Sequence, residues 1–202
     1  MGEKLTNRDK QALETKRKLI QSAHHIFLQN GFDKTTISQI IKDAGVGYGT
    51  AYVYFKNKDD MFNTVMEEVM GQFFKVAKQV FQPTSIDEAC QQIRDQVRAY
   101  MTVAIEERAT MQVVKEAIGS SEIIESRWLE IRNEFIESIT SDINYSQQKK
   151  LVSSKFDPRI TAQSWYYMNE MFMWKFVENK GLELEPIVEQ LSLFYTAALY
   201  RV

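Results

Sequence analysis

Cysteine, proline and glycine are scarce in this sequence. Cys90 is the single cysteine, so no disulfide can form within one chain, and no group of Cys and His residues has the spacing of a zinc site. With 8 Gly and 3 Pro, long stretches of the 202 residues carry no turn signal. Because a sandwich or barrel of short strands needs frequent turns, these scarcities predict an all-α fold.

Long apolar runs are also missing. The first residues, MGEKLTNRDK, lack the apolar core of a signal peptide, and no run approaches the roughly 20 apolar residues that span a membrane. A lone cysteine suits a reducing compartment. We therefore expect a cytoplasmic protein without a membrane span.

The signatures of catalysis are absent as well. Residues 85–202 contain no nucleophile elbow, no glycine-rich phosphate loop and no zinc-protease motif. His24 and His25 are neighbours on a predicted helix and face different directions, which argues against a shared metal. The sequence predicts neither an enzyme nor a bound metal or cofactor.

Charge is unevenly distributed along the chain. The net charge is −2 overall, but residues 1–60 carry eight Lys and two Arg against seven Asp and Glu, a net of about +3. A basic segment is a candidate for binding a polyanion such as DNA. Ordinary variation in surface charge is the alternative explanation.

Apolar residues at helical spacing predict a series of helices with start and stop signals between them. The first helix ends at Gly31, a capping box of Thr36 and Gln39 begins the second, and the third runs from about Tyr48 to Phe55. We expect Asn57 to cap a long fourth helix that stops at 82–84, and a capping box of Ser85 and Glu88 to open the fifth. A sixth helix is expected at 109–118 and a surface loop at 144–155. A further helix is expected from Asp157-Pro158 to Gly181, and Pro186 is expected to open the last one.

The segment from Thr35 to Lys58, TTISQIIKDAGVGYGTAYVYFKNK, has the pattern helix, glycine-containing turn, helix. Six apolar residues are spaced to close a small core against the first helix: Ile40, Ile41, Ala44, Val46, Ala51 and Phe55. This spacing leaves Tyr48, Thr50, Val53 and Tyr54 facing elsewhere. In a helix-turn-helix the second helix enters the major groove of DNA, and small residues there allow close approach of the backbone.

A more specific pattern lies within this segment. A Thr opens the second helix, Ala-Gly-Val occupies the turn, and G-x-x-Y-x-Y-F-x-x-K follows. The matching residues are Thr36, Ala44-Gly45-Val46, Gly49, Tyr52, Tyr54, Phe55 and Lys58. In its fixed order this pattern resembles the TetR family of transcriptional regulators, over roughly the first third of the chain.

The resemblance implies an N-terminal helix-turn-helix DNA-binding domain, residues 1–58, joined by a long helix to a helical ligand-binding and dimerisation domain, residues 59–202. It implies a homodimer that pairs through the two last helices, with a small-molecule pocket among the middle helices. The base contacts it implies are Gly47, Tyr48, Thr50 and Val53. The phosphate contacts it implies are Thr36, Tyr52, Tyr54 and Lys58.

One position departs from the family pattern. The family usually has Ser after Ala-Gly-Val, whereas this chain has Gly47, so we expect a weaker cap on the third helix and the loss of a side-chain contact. Asp59 and Asp60 suit a helix N-terminus but repel phosphate, which weakens the case for Lys58 as a phosphate contact.

Residues 165–176, WYYMNEMFMWKF, place aromatic and Met side chains around most of a predicted helix. Core packing on one face and a dimer interface on the other explain most of this pattern. Because ligand sites are mostly apolar, we nominate a set of pocket residues, each of which also suits the core. They are Trp128, Phe135, Trp165, Met168, Phe172, Met101 and Met111. Asn169 and Glu170 interrupt the apolar helix and either orient a ligand or face solvent.

These patterns support one main hypothesis and one alternative. The main hypothesis is a ligand-responsive transcriptional regulator that binds a palindromic DNA operator as a dimer and is released by a hydrophobic small molecule. A repressor is the expected form, and the sequence does not decide between repressor and activator. The alternative is a helical carrier of an apolar ligand. A carrier would have no affinity for DNA and would leave the pattern from Gly47 to Lys58 unexplained.

Overall fold

The computed structural model describes residues 6–200, and within that range every regular element is an α-helix. The helices are α1 (Asn7–Asn30), α2 (Ile37–Ala44), α3 (Tyr48–Tyr54), α4 (Lys58–Ala77), α5 (Ile86–Glu106), α6 (Arg108–Ser120), α7 (Glu122–Gln148), α8 (Pro158–Glu178) and α9 (Leu184–Leu199). The prediction of an all-α fold is confirmed.

Several predicted helix starts are set by local capping. Thr36 Oγ1 accepts the N–H of Gln39 at 3.3 Å, and Gln39 Oε1 accepts the N–H of Thr36 at 2.8 Å, which completes the capping box of α2. Asn57 Oδ1 accepts the N–H of Asp60 at 2.8 Å as α4 begins. Asp157 caps α8 in the same way.

Other boundaries differ from the predictions because tertiary packing decides them. α4 ends at Ala77 rather than at 82–84. Phe81 lies in the irregular segment that follows the helix, and its side chain is buried. α7 continues through residues 144–148, part of the predicted loop. Ser146 extends its buried face and lies 3.1 Å from the hydroxyl of Tyr200, to which it is hydrogen-bonded.

Three smaller corrections concern α5, α8 and α9. Ser85 caps α5, but the Glu88 carboxylate accepts from Thr84 instead of Ser85, so the predicted box is incomplete. α8 ends at Glu178, before Gly181. α9 begins at Leu184, two residues before Pro186, and proline is tolerated there because the first four N–H groups of a helix have no partner within it.

The chain divides into two compact units, and the division falls within α4, α6 and α7. Unit 1 contains the chain up to Val69 together with Gln112–Arg127, and unit 2 contains Met70–Met111 and the chain from Trp128 onward. These units are defined by packing, and the functional boundary at residue 58 stays a prediction.

The core of unit 1 is aromatic. The rings of Phe27 and Phe32 lie 4.8 Å and 5.1 Å from the ring of Phe62, which belongs to α4, and all three side chains are buried. Each such side chain contributes about 1.5–3 kcal/mol by its removal from water. This core holds the helices that precede residue 58 against the first half of α4.

Unit 2 is built around α5, which packs against both α8 and α9. Tyr100 of α5 contacts the rings of Phe73 and Phe135 at centroid distances of 5.0 Å and 6.0 Å. Phe135 also stacks on Phe74 at 4.4 Å. Offset and edge-to-face pairs of this kind add about 0.5–1.5 kcal/mol each beyond burial.

Candidate nucleic-acid interface and candidate effector cavity

The turn between α2 and α3 depends on Gly45. Its φ of 62° lies in the left-handed region, which glycine adopts without steric cost, and its N–H is directed to the carbonyls of Ile41 and Lys42. The N–H of Val46 then reaches the Ile41 carbonyl at 3.3 Å. The chain thereby leaves α2 sharply, and α3 begins at Tyr48.

α3 packs against the rest of unit 1 along one side only. Ala51 is fully buried, and Phe55, directly after the helix, is 3% exposed. The opposite side presents large side chains to solvent: Tyr48 is 54%, Tyr52 50% and Val53 77% exposed. A helix of seven residues is not stable alone, so unit 1 holds α3 in place while this face stays uncovered.

Two glycines at the start of α3 have no packing reason among residues 6–200. A Cβ at Gly47 would meet Thr50 Oγ1 at 3.9 Å, and a Cβ at Gly49 would meet nothing within 4 Å. Glycine inside a helix costs about 0.5–1 kcal/mol relative to alanine. Gly47 also caps α3 without a side-chain hydrogen bond, as its identity predicts. The backbone here is open to close approach by an outside partner.

The four residues predicted to contact phosphate have different surroundings. Tyr52 is exposed and Tyr54 is half-buried. Thr36 is exposed, but its side chain serves the cap of α2. The ammonium of Lys58 donates to the Phe32 carbonyl at 2.9 Å and lies 4.3 Å from the centroid of the Phe32 ring. Lys58 therefore ties α4 to the turn after α1, and its contact with phosphate stays a prediction.

Glu116 of α6 holds the same turn and was not identified from the sequence. Its carboxylate accepts the N–H of Phe32 at 3.1 Å and the N–H of Asp33 at 3.0 Å. Gly31 has a φ of 76°, and a Cβ there would lie 2.6 Å from Glu116 Oε2. No local pattern reveals a partner that lies 84 residues away in sequence.

Unit 2 contains a pocket of about 530 Å³, a volume that includes space open to solvent. The part of it that the centres of water-sized molecules can occupy is about 70 Å³. Its lining comes from α4, α5, α7 and α8, and consists of Val76, Ala77, Ile93, Gln96, Val97, Tyr100, Phe135, Ile139, Asp142, Trp165, Tyr166 and Asn169.

The structure brings together two of the seven nominated pocket residues, Phe135 and Trp165, in this cavity. The other five do not line it: Met101 and Met111 are fully buried, Trp128 is 1% exposed, and Met168 and Phe172 are half-buried on α8. Whether any of the seven contacts an effector stays a prediction. Helical periodicity identified the buried residues but not which of them border empty space.

Asn169 and Glu170 of α8 are both buried, which excludes the solvent-facing alternative for them. Asn169 donates to the Trp165 carbonyl at 2.9 Å and lines the cavity. Glu170 accepts from Trp128 Nε1 at 3.0 Å and from Arg132 Nε at 2.9 Å. Hydrogen bonds from both partners compensate the burial of this carboxylate.

Two polar groups of the cavity lack such compensation. Asp142 has no hydrogen bond or ion pair with any residue in the range 6–200, and burial raises the pKa of its carboxyl to about 7. The hydroxyl of Tyr166, a residue 3% exposed, faces Tyr100 but forms no hydrogen bond of good geometry within the same range. Sequence reasoning missed both groups, because their surroundings come from four different helices.

α8 and α9 each present an uncovered apolar face. Ile160, Tyr167 and Met171 are exposed at helical spacing on α8. Leu193 and Phe194 are exposed on α9, Phe194 to 66%. Several exposed apolar side chains on the same helix mark an interaction site more often than a single one does.

Among residues 6–200, no group of three or more His, Cys, Asp and Glu side chains is arranged to hold a metal ion. None of the helices in that range combines the length and apolar character that crossing a membrane requires.

Residues 19–65 match the family model described as bacterial regulatory proteins, tetR family. This match includes α2, α3, the Gly45 turn and the first residues of α4.

Two curated relatives from Bacillus subtilis are similar to the chain. The fatty acid metabolism regulator protein is 42% identical over 57 residues, which cover 28% of this chain and 29% of that protein. The HTH-type transcriptional regulator YhgD is 25% identical over 194 residues, which cover 93% of this chain and 98% of that protein.

A solved structure shares the fold along almost the whole chain. A TetR-family transcriptional regulator from Syntrophomonas wolfei superposes with a TM-score of 0.75 at 20% identity, and covers 92% of this chain and 94% of its own. Both curated relatives named above are regulators, and neither is named as an enzyme.

Proposed function

Since the chain belongs to the TetR family of transcriptional regulators, we propose that it is a repressor that binds a palindromic operator as a homodimer and is released by a small molecule. A regulator of this kind works in the cytoplasm, where its operator lies. The two functional parts proposed are the DNA-binding segment 1–58 and the ligand-binding and dimerisation segment 59–202.

The observation that carries the proposal is the uncovered face of α3 together with Gly47 and Gly49. Neither glycine is needed for packing among residues 6–200. Both leave the backbone accessible at the N-terminal end of the helix that enters the major groove in a helix-turn-helix. The exposed Tyr48 and Val53 then have a role as groups that contact base edges. Thr50, exposed on the same helix, completes the proposed set of base contacts.

Phosphate contacts are proposed for Thr36, Tyr52, Tyr54 and Lys58. Hydroxyl groups and an ammonium at the ends of helices are ordinary phosphate donors, and they set the position of a protein on the duplex. The Lys58 ammonium donates to the carbonyls of Phe32 and Asp33, and its third N–H is left to donate to a phosphate oxygen.

A homodimer is proposed because α8 and α9 expose apolar side chains on both helices. Pairing these faces with the same faces of a second copy gives a two-fold interface. Two α3 helices related by that axis would have to lie about one helical turn of DNA apart, roughly 34–36 Å, to match a palindrome.

The effector is proposed to bind the cavity of unit 2. Val76 and Ala77 line this cavity near the end of α4, the helix that begins at Lys58. An effector that binds best after a shift of α4 moves the population away from the form that binds the operator. A coupling of about 1–3 kcal/mol between the two sites is enough for a useful response.

The experiment is selection of the purified full chain on a library of randomised duplexes, followed by sequencing of the bound fraction. We expect a palindromic consensus. Tyr48→Ala should relax the sequence preference, whereas Leu129→Ala, at a similarly exposed position on α7, should leave the preference unchanged. A bound fraction without any consensus would contradict the proposal.

A further inference from the structure

We propose that the effector is an organic cation, an ammonium group on an apolar body, held between Asp142 and the aromatic walls of the cavity. This inference rests on the proposed function, in which an effector occupies the cavity of unit 2. It specifies the chemical class that the cavity selects.

The position of Asp142 is the first step. Its side chain lines the larger cavity and also a smaller adjoining one, whose further lining includes Phe81, Ile143, Tyr195 and Tyr200. No Lys, Arg or His is among the residues that line either space. A half-buried carboxylate without a partner is unfavourable, and a cation in the cavity supplies the missing partner.

The aromatic walls are the second step. Trp165 borders both spaces and stacks on Tyr195 at a centroid distance of 4.1 Å. Phe135 and Tyr166 stack at 5.7 Å on the wall of the larger cavity. The faces of such rings carry negative electrostatic potential and attract cations within about 6 Å. An anionic ligand, such as a fatty acid, would instead bring a second negative charge to Asp142.

A second polar contact is available beside the carboxylate. The buried Tyr166 hydroxyl forms no hydrogen bond of good geometry in the range 6–200 and lines the same cavity. A hydroxyl or N–H group on the effector can satisfy it. The cavity therefore combines one acidic group, one unsatisfied hydroxyl and mostly apolar walls.

The surroundings of Asp142 also fix the expected pH dependence. Four tyrosines lie on the elements around it, and burial raises the pKa of each above its ordinary value: Tyr100, Tyr166, Tyr195 and Tyr200. Arg132 and Glu170 are paired with each other at 2.9 Å. Asp142 itself titrates between pH 6 and 8, since its pKa is about 7. A bound cation favours the carboxylate, so affinity rises with pH.

The test is a titration of the full chain followed by tryptophan fluorescence, because Trp165 lines the cavity. The probes are benzyltrimethylammonium, which has a fixed charge, and neopentylbenzene, which has the same shape without charge. We expect at pH 8 that the cation binds at least about tenfold more tightly than the hydrocarbon. Its affinity should fall about tenfold between pH 8 and pH 6, while the hydrocarbon shows no such change.

Matched variants identify the group responsible. Asp142→Asn should lose both the preference for the cation and its pH dependence, and keep the affinity for the hydrocarbon. Asp87→Asn, at an exposed position on α5, should retain wild-type behaviour. Equal binding of the two probes, tighter binding of decanoate, or no saturable signal up to millimolar cation would overturn the inference.

Operator binding by the same ligand-free preparations separates this inference from the proposed function. Cation preference without operator binding would contradict the regulator proposal and leave the ligand class standing. Operator binding without cation preference would contradict the ligand class and leave the regulator proposal standing.

Discussion

Glu116 of α6 accepts hydrogen bonds from the backbone N–H groups of Phe32 at 3.1 Å and of Asp33 at 3.0 Å. It thereby fixes the turn that connects α1 to α2. The ammonium of Lys58 donates to the Phe32 carbonyl of the same turn, at 2.9 Å. One carboxylate and one ammonium together hold the turn that precedes the proposed DNA-contacting helices.

Replacing Glu116 should loosen this turn. Hydrogen bonds to a charged group contribute more than neutral ones, so we expect Glu116→Ala to lower the free energy of unfolding by about 1–3 kcal/mol. Chemical denaturation at fixed protein concentration measures the change. Glu68→Gln, at an exposed position of α4, is the control and should stay within about 0.5 kcal/mol of wild type. Equal stabilities for Glu116→Ala and wild type would show that the two hydrogen bonds contribute nothing net.

Gly31→Ala tests the close approach of Glu116 to the same turn. The added Cβ would lie 2.6 Å from Glu116 Oε2, and the φ of 76° is itself unfavourable for alanine. We expect a loss of about 1–2 kcal/mol or more, and a smaller loss when Glu116→Ala is already present because the close contact is gone. Gly71→Ala, where a Cβ meets nothing within 4 Å, should be neutral or stabilising. Additive effects of Gly31→Ala and Glu116→Ala would contradict the contact.

Local and non-local features of this fold differ in how far the sequence predicts them. Thr36 with Gln39 and the left-handed Gly45 were predictable, because their partners lie within four residues. Glu116 was not, since its partners lie more than 80 residues away. Residues 144–148 have a polar composition typical of a loop, yet Ser146 is buried against Tyr200 and keeps them helical.

The effector site shows the same limit. Periodicity predicted that Phe135 and Trp165 face inward, but it predicted the same for Met101, which is buried without bordering the cavity. Empty space depends on how side chains of four helices fill the interior, and no spacing within one helix contains that information.

Phe194→Glu should disrupt the proposed homodimer. The side chain is 66% exposed on α9, and a charge buried between two copies without a partner is costly. We expect the wild-type chain to sediment as a dimer at micromolar concentration and the variant as a monomer. Val80→Glu, at a position 76% exposed after α4, should leave the dimer intact. A dimeric Phe194→Glu would place the interface elsewhere.

Asp142 should make stability depend on pH. Burial raises the pKa of its carboxyl from 3.8 to about 7, so between those pH values the folded chain keeps a proton that the unfolded chain has lost. The contribution of this group to the free energy of unfolding therefore falls as pH rises through that window. At pH 8, Asp142→Asn should be more stable than wild type by on the order of 1–2 kcal/mol, after allowance for screening by solvent. The difference should shrink toward pH 5, and a difference independent of pH would contradict the raised pKa.

The most direct test of the central claim, that the chain binds DNA by sequence through α3, is a comparison of two affinities. Fluorescence anisotropy gives the affinity of the ligand-free protein for the selected operator and for a scrambled duplex of the same length and composition, at about 150 mM salt. We predict a ratio of roughly a thousandfold or more in favour of the operator, the lower range for specific regulators. A ratio near one, with both affinities falling equally as salt is added, would mean that the protein binds only the phosphate backbone and would contradict the claim.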